Sequence, residues 1–168
     1  MKSYQLIAAE LIKEAEGFVP KVYKCPAGFN TIGYGYNIDA NPLNDQQKKL
    51  LNEDGTISKE NAYALLFDSI AKYESDAREL IDFDYLNDAR KALMIDLVYN
   101  LGKKGFEKFR ATRGFINMGD YNNAWKALKA SMWFNQVGNR GIRNCAILRD
   151  GVMYGYEDIR ELRETILP

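Results

Sequence analysis

EGFVPKVYKCPAGFNTIGYGY, residues 16–36, carries the densest chemical pattern in the chain. Glu16 closes an apolar-periodic segment, and Gly17 directly after it supplies a helix stop. β-Branched and aromatic residues then fill 18–24 and 29–38, parted by Pro26-Ala27-Gly28, and read as a hairpin. A carboxylate (Glu16), a thiol (Cys25) and a hydroxyl (Thr31) lie along this path with eight and five residues between them. An acid, a soft nucleophile or base, and a hydroxyl strung across a helix-to-hairpin junction suit proton-transfer chemistry. Each group also has a plain structural reading: a surface helix carboxylate, a small buried hydrophobe and a strand former.

Upstream, Leu6, Ile7, Leu11 and Ile12 recur at helical spacing, predicting a helix over 3–15. Downstream, 39–45 reads as a loop or the start of a short helix, and Asp54-Gly55 as a turn leading to a third short strand at Thr56-Ile57. Ser58 is a candidate N-cap with Glu60 in the following first turn. From there Ala62, Leu65, Leu66, Ile70, Tyr73, Ala77 and Leu80 repeat every three or four residues without glycine or proline. That predicts one helix over 58–81, roughly 33 Å long at the standard rise. The remaining segments (88–101, 105–118, 120–130, 139–150 and 154–166) are helical in pattern, punctuated by Gly102, Gly105, Gly119 and Gly138. The expected class is α+β, mainly helical, with a short antiparallel sheet. One domain, 1–168, divides into a β-containing lobe (14–58), a linking helix (58–81) and a helical lobe (82–168 with 1–13).

Composition sets outer limits. The 168 residues are 46% hydrophobic and 27% charged, ordinary for a globular chain able to bury one core. Net charge is zero, so no global basic field argues for nucleic acid. The stretch 103–149 is locally basic through Arg110, Arg113, Lys126, Lys129, Arg140, Arg143 and Arg149, which reads first as a solvated helical surface. Histidine is absent, removing the commonest general base and metal ligand. Cys25 and Cys145 form neither a disulfide framework nor a zinc spacing, and no metal or other cofactor is expected. Lys and Glu interrupt the N-terminal apolar periodicity, and no run nears the ~18 apolar residues of a spanning helix. Cytoplasmic synthesis without stable membrane association is the expectation.

Glu, eight residues, Asp or Cys, five residues, Thr is a pattern that resembles the catalytic signature of the T4-type phage lysozymes of glycoside hydrolase family 24. The resemblance continues in ISKENAYALLF (57–67), ALMIDLVYNLGKKGFEKF (92–109) and ASMWFNQVGNRGIRNC (130–145). It covers residues 3–154 and leaves YGYEDIRELRETILP as an extension. It implies a two-lobed, lysozyme-like fold and a muramidase acting on peptidoglycan glycan strands, with Glu16 as general acid. Cys25 falls where most of the family has aspartate and would take the base or stabiliser role, while Thr31 positions water. Tyr99, Asn100, Thr112 and Arg140 match substrate-cleft positions, though Tyr99 also reads as core and Arg140 as surface charge. Ala127 falls where the family has a cleft asparagine, and Tyr36 with Ser69 replaces a His–acid pair. The resemblance further implies an endolysin: a monomer held in the host cytoplasm and released to the wall by a separate holin. Two other readings stand beside it: a lytic transglycosylase, which needs no attacking water, and a catalytically weak wall-binding or virion module.

Overall fold

Helix α1 (Ser3–Glu16) buries a stripe of Tyr4, Ala8, Leu11 and Ile12, so its core face starts at Tyr4 and leaves Leu6 exposed. The computed structural model describes residues 2–168; Met1, the first residue of the expected 1–13 segment, lies outside the described residues. α1 ends where expected: the Gly17 N–H returns to the Lys13 carbonyl at 3.3 Å, so Glu16 is the last helical residue.

Strands β1 (Val19–Lys24), β2 (Asn30–Gly33) and β3 (Tyr36–Asn37) form one antiparallel sheet in that order. β1 and β2 pair Tyr23 with Thr31 and Lys24 with Asn30, with an irregular register between Val19 and Tyr23. The expected single strand over 29–38 is two strands. Gly33 and Gly35 take φ of +65° and +73°, left-handed values open mainly to glycine, and turn the chain back so that Ile32 pairs with Tyr36. That turn supplies the third strand, which the sequence pattern had placed at Thr56-Ile57. Ile57 instead makes a single isolated bridge to Leu51.

A short helix α2 (Asp45–Lys48), capped by Asn44, leads to α3 (Lys59–Leu80). Ser58 caps α3 as predicted, its Oγ accepting the Asn61 N–H at 3.1 Å. The predicted apolar positions Ala62, Leu65, Leu66, Ile70, Tyr73, Ala77 and Leu80 are all buried, and α3 packs on α1 and on β2. Gly33 lies so close that a Cβ there would sit 2.9 Å from the Ala62 Cβ, which fixes the sheet against this helix.

Helix α4 (Asp88–Glu107) follows, with non-helical torsions at Gly102 (φ 70°, ψ 161°) where a break was expected. Its residues from Ala92 to Tyr99 are buried without interruption, and it packs against both α1 and α3. Then come α5 (Arg110–Asn117), α6 (Tyr121–Lys129), α7 (Met132–Val137), α8 (Asn139–Asp150) and α9 (Ile159–Ile166). α7 was not anticipated from sequence; Ser131 caps it and Trp133 drives it inward, while Phe134 is partly buried against the same core. Part of the expected 154–166 helix is a 3₁₀ turn at Tyr156–Asp158 preceding α9. The arrangement is the expected α+β, mainly helical, lysozyme-like one, with the sheet before the long helix and helices after it.

Both cysteines are free thiols. Cys145 is fully buried on α8, and burial pushes its thiol up to about 12. Tyr36 and Ser69 are both buried, but Ser69 donates to the Leu66 carbonyl at 2.6 Å, so its proton serves its own helix. Among the described residues, no helix is long and apolar enough to cross a membrane.

Candidate active site

Glu16 leaves α1 at its C-terminal end and faces α8. Arg140, the second residue of α8, donates from Nη1 to Glu16 Oε1 at 2.5 Å. Glu16 keeps about a fifth of its side chain exposed (21%), whereas Arg140 is buried. From the sheet side Gly35 closes in: a Cβ there would lie 2.8 Å from the Glu16 carboxyl carbon. Only glycine lets the chain bend at this φ and lets the carboxylate approach the backbone so closely.

Arg140 is shared between two acids. Its Nε and Nη2 donate to Asp96 Oδ2 and Oδ1 at 3.2 and 2.8 Å. Burial disfavours the guanidinium charge, but Asp96 and then Glu16 more than offset this and raise its proton affinity. Asp96 is fully buried on α4; burial pushes its carboxyl up, and Arg140 and Arg143 pull it further down, below the ordinary carboxylate range. Asn144 adds a 2.6 Å hydrogen bond to Asp96 Oδ2. Arg140, Arg143 and Asn144 share one face of α8 at the three- and four-residue spacing that brings helical side chains together.

Cys25 and Thr31 meet on the hairpin. The Cys25 N–H donates to the Phe29 carbonyl at 3.0 Å and the Gly28 N–H to the Cys25 carbonyl at 2.7 Å, closing the turn. The Cys25 side chain is half-buried. Slight burial raises its proton affinity. Backbone N–H groups of Phe29, Ala27 and Gly28 and the Thr31 hydroxyl outweigh this, so the thiol lies below its ordinary value of 9.0. Thr31 is buried, and its hydroxyl also has the Phe29 carbonyl as an acceptor at 3.1 Å. A hydroxyl rotor can give its proton to either group, and a thiolate is the stronger acceptor.

Tyr99 is buried rather than surface-lining; its hydroxyl donates to the Tyr34 carbonyl at 2.8 Å and its ring meets Tyr73 edge-on at 4.8 Å. Burial, with the charge of Glu16 second, raises the Tyr99 phenol well above 10.0, so it stays a neutral donor. It thereby ties α4 to the turn that presents Gly35. Asn100, one residue on, is exposed and accepts the Trp133 indole N–H at 2.7 Å, leaving its own amide N–H groups unspent. Thr112 lies in an open depression of about 280 Å³ that also holds Lys108, Arg110, Ser131 and Ala127. The structure therefore pairs Glu16 tightly with Arg140, sets Cys25 and Thr31 on one hairpin, and puts Thr112 in the depression with Lys108 and Ser131.

Comparison with known proteins matches residues 13–147 to the family described as phage lysozyme. The chain belongs to the phage lysozyme family. This is a family of lysozyme-type peptidoglycan hydrolases, and its match encloses Glu16, Cys25, Thr31, Tyr99, Asn100, Thr112 and Arg140. The pre-baseplate central spike protein Gp5 of Enterobacteria phage T4 is 27% identical over 163 residues, 88% of this chain. The chain spans only 28% of that spike protein's length. A probable T4-type lysozyme 1 of Dictyostelium discoideum is 24% identical over 164 residues, covering 88% of this chain and 96% of the relative. An endolysin of Acyrthosiphon pisum secondary endosymbiont phage 1 is 31% identical over 114 residues, 68% of this chain and 69% of the endolysin.

Four residues of the site escaped the sequence reading: Gly35, Asp96, Arg143 and Asn144. Asp96 had a signal, because a lone carboxylate inside ALMIDLVY has no business in an apolar helix face unless paired. Arg143 and Asn144 follow Arg140 at three and four residues and were visible only once Arg140 was known to point inward.

Proposed function

We propose that the chain is a muramidase that hydrolyses the β-1,4 bond between N-acetylmuramic acid and N-acetylglucosamine in peptidoglycan. Glu16 is the general acid: it gives its proton to the glycosidic oxygen as the C1–O bond breaks. Water adds to C1, and Cys25 in thiolate form accepts the proton that water releases, with Thr31 holding the water. Arg140 fixes the Glu16 carboxyl, and Tyr99 supports the wall from beneath. Asn100 and Thr112 meet the glycan farther along. No cofactor is required.

The observation that supports this reading is the placement of Cys25 and Thr31 together on the β1–β2 hairpin, in the same sheet whose next turn brings Gly35 to Glu16. Thr31 is also what favours hydrolysis over a transglycosylase, which has no water to place. Lobes over 14–58 and 82–168 with 1–13, joined by 58–81, are the proposed frame, in keeping with the packing of α1 on α4. The proposed setting is an endolysin that acts as a monomer, kept in the host cytoplasm until a holin opens the membrane. The likeness to a baseplate spike protein favours a second setting, a wall-cleaving module carried on the virion.

A turbidity assay on purified cell wall tests the activity. Wild type clears the suspension and Glu16→Gln does not; equal clearing by both removes Glu16 from the acid role, and none by either removes the hydrolase reading.

A further inference from the structure

Asp96 interrupts the buried run Ala92–Tyr99 with a charge that is wholly out of solvent. Burying a carboxylate this deeply is costly, and a well-packed apolar residue fills such a position at lower cost unless the charge has a task. Among the described residues, the side chains that hydrogen-bond or ion-pair with its carboxylate all come from one face of α8, with the Tyr156 phenol also near enough to feel its charge. Arg140 donates from Nε and Nη2 to the two carboxylate oxygens, and from Nη2 to the Asp96 backbone carbonyl at 3.4 Å. Asn144 donates to Oδ2, and Arg143 Nη2 stands 3.6 Å from the same oxygen. That Arg143 nitrogen is buried with no hydrogen-bond partner, so its tie to Asp96 is through charge alone.

This leaves Arg140 with two attachments, Asp96 and Glu16. Two of its nitrogens are locked to Asp96 in the planar fork geometry of guanidinium and carboxylate, and the plane then dictates where Nη1 points. It points at Glu16 Oε1. Gly35 bounds the same carboxylate from the other element. We infer that Asp96 is the positioning residue of the acid: through Arg140 it sets the orientation of the Glu16 carboxyl without itself touching the glycan. Arg143 is held in turn by Glu14, whose second oxygen takes the Tyr156 N–H at 2.6 Å, so α1, α4, α8 and the segment beyond the family match are tied around this one aspartate.

This inference rests on Glu16 being the acid, and its test separates the two claims. Asp96→Asn keeps the shape and removes the charge and part of the fork. Kinetics on soluble, uncross-linked glycan strands should show kcat falling about 10- to 100-fold, the scale for a misplaced catalytic group, with KM within about twofold. Leu93→Ala, a core change on the same helix, serves as the stability control and should keep kcat. In the NMR spectrum, the Arg140 Nε–H signal should exchange slowly in wild type and rapidly in Asp96→Asn. Should Asp96→Asn not fold, Asn144→Ala removes one donor to Asp96 without unpairing an arginine, and a kcat loss of about threefold at constant KM is expected. Unchanged kcat, a loss confined to KM, or an equal kcat loss in Leu93→Ala overturns the assignment. Wild type inert on glycan retires the muramidase reading, and the Nε–H signal alone then decides: equal exchange in both proteins overturns the clamp.

Discussion

Gly35→Ala is the sharpest perturbation of the proposed acid that leaves its own side chain intact. An alanine Cβ would meet the Glu16 carboxyl carbon and Oε2 at 2.8 Å and Cγ at 2.9 Å, where ordinary contact begins at 3.4 Å. The carboxyl group must therefore retreat by about 0.6 Å, and Arg140, held by Asp96, resists following it. Alanine must also adopt φ near +73°, which costs about 1–2 kcal/mol. For a chain of this size that lowers Tm by roughly 2–8 °C. The displacement of the acid should lower kcat about 10- to 100-fold. Gly55→Ala separates the two effects: its φ is +77° but nothing lies within 4 Å of the new Cβ. It should show a similar Tm loss by calorimetry with unaltered turnover of cell wall. A Gly35→Ala protein as active as Gly55→Ala would refute the placement of Glu16 against this turn.

Two further outcomes concern titration. Cys25 lies below the ordinary 9.0 of a thiol, and turnover needs the Glu16 proton and the Cys25 thiolate together, so the pH–rate profile should be bell-shaped, with an alkaline limb that falls through a pH below 9.0. Cys25→Asp, ionised above about pH 4, should keep activity and lose that limb, while Cys25→Ala should be nearly inactive across the pH–rate profile. Asp96 is stabilised as its anion in the fold, so the unfolded chain binds its proton more readily. Its contribution is therefore complete above about pH 4, the unfolded value, and is withdrawn as pH falls from there toward the depressed folded value. Urea midpoints measured from pH 6 down to pH 3 should fall steeply in wild type, and Asp96→Asn should start lower and fall less.

What the sequence conveyed tracks how local each determinant is. The 22-residue α3 was legible from its period and its Ser58 cap, because both act within a few residues. The strand at Tyr36–Asn37 was not, because a run of strand-forming residues hides two glycines whose value is a positive φ, a torsional preference that composition does not display. α7 is short and held by Trp133 in the core and its bond to Asn100, a contact 33 residues away in sequence. The site shows the same division. Glu16, Cys25 and Thr31 stood out by their spacing, since a helix stop and one hairpin carry all three. Asp96 and Gly35 act across 44 and 19 residues, on Arg140 and Glu16, and only the packed chain brings them there. Tyr99 was weighed both as core and as cleft; it is buried, and its hydroxyl reaches the Tyr34 carbonyl 65 residues away in sequence.

The chain ends left in digested wall test the central claim most directly. Purified peptidoglycan treated with wild type should carry new reducing N-acetylmuramic acid ends, read by mass spectrometry, and none after Glu16→Gln. Anhydro-muramic ends, or reducing ends that persist in Glu16→Gln, would contradict hydrolysis driven by this glutamate.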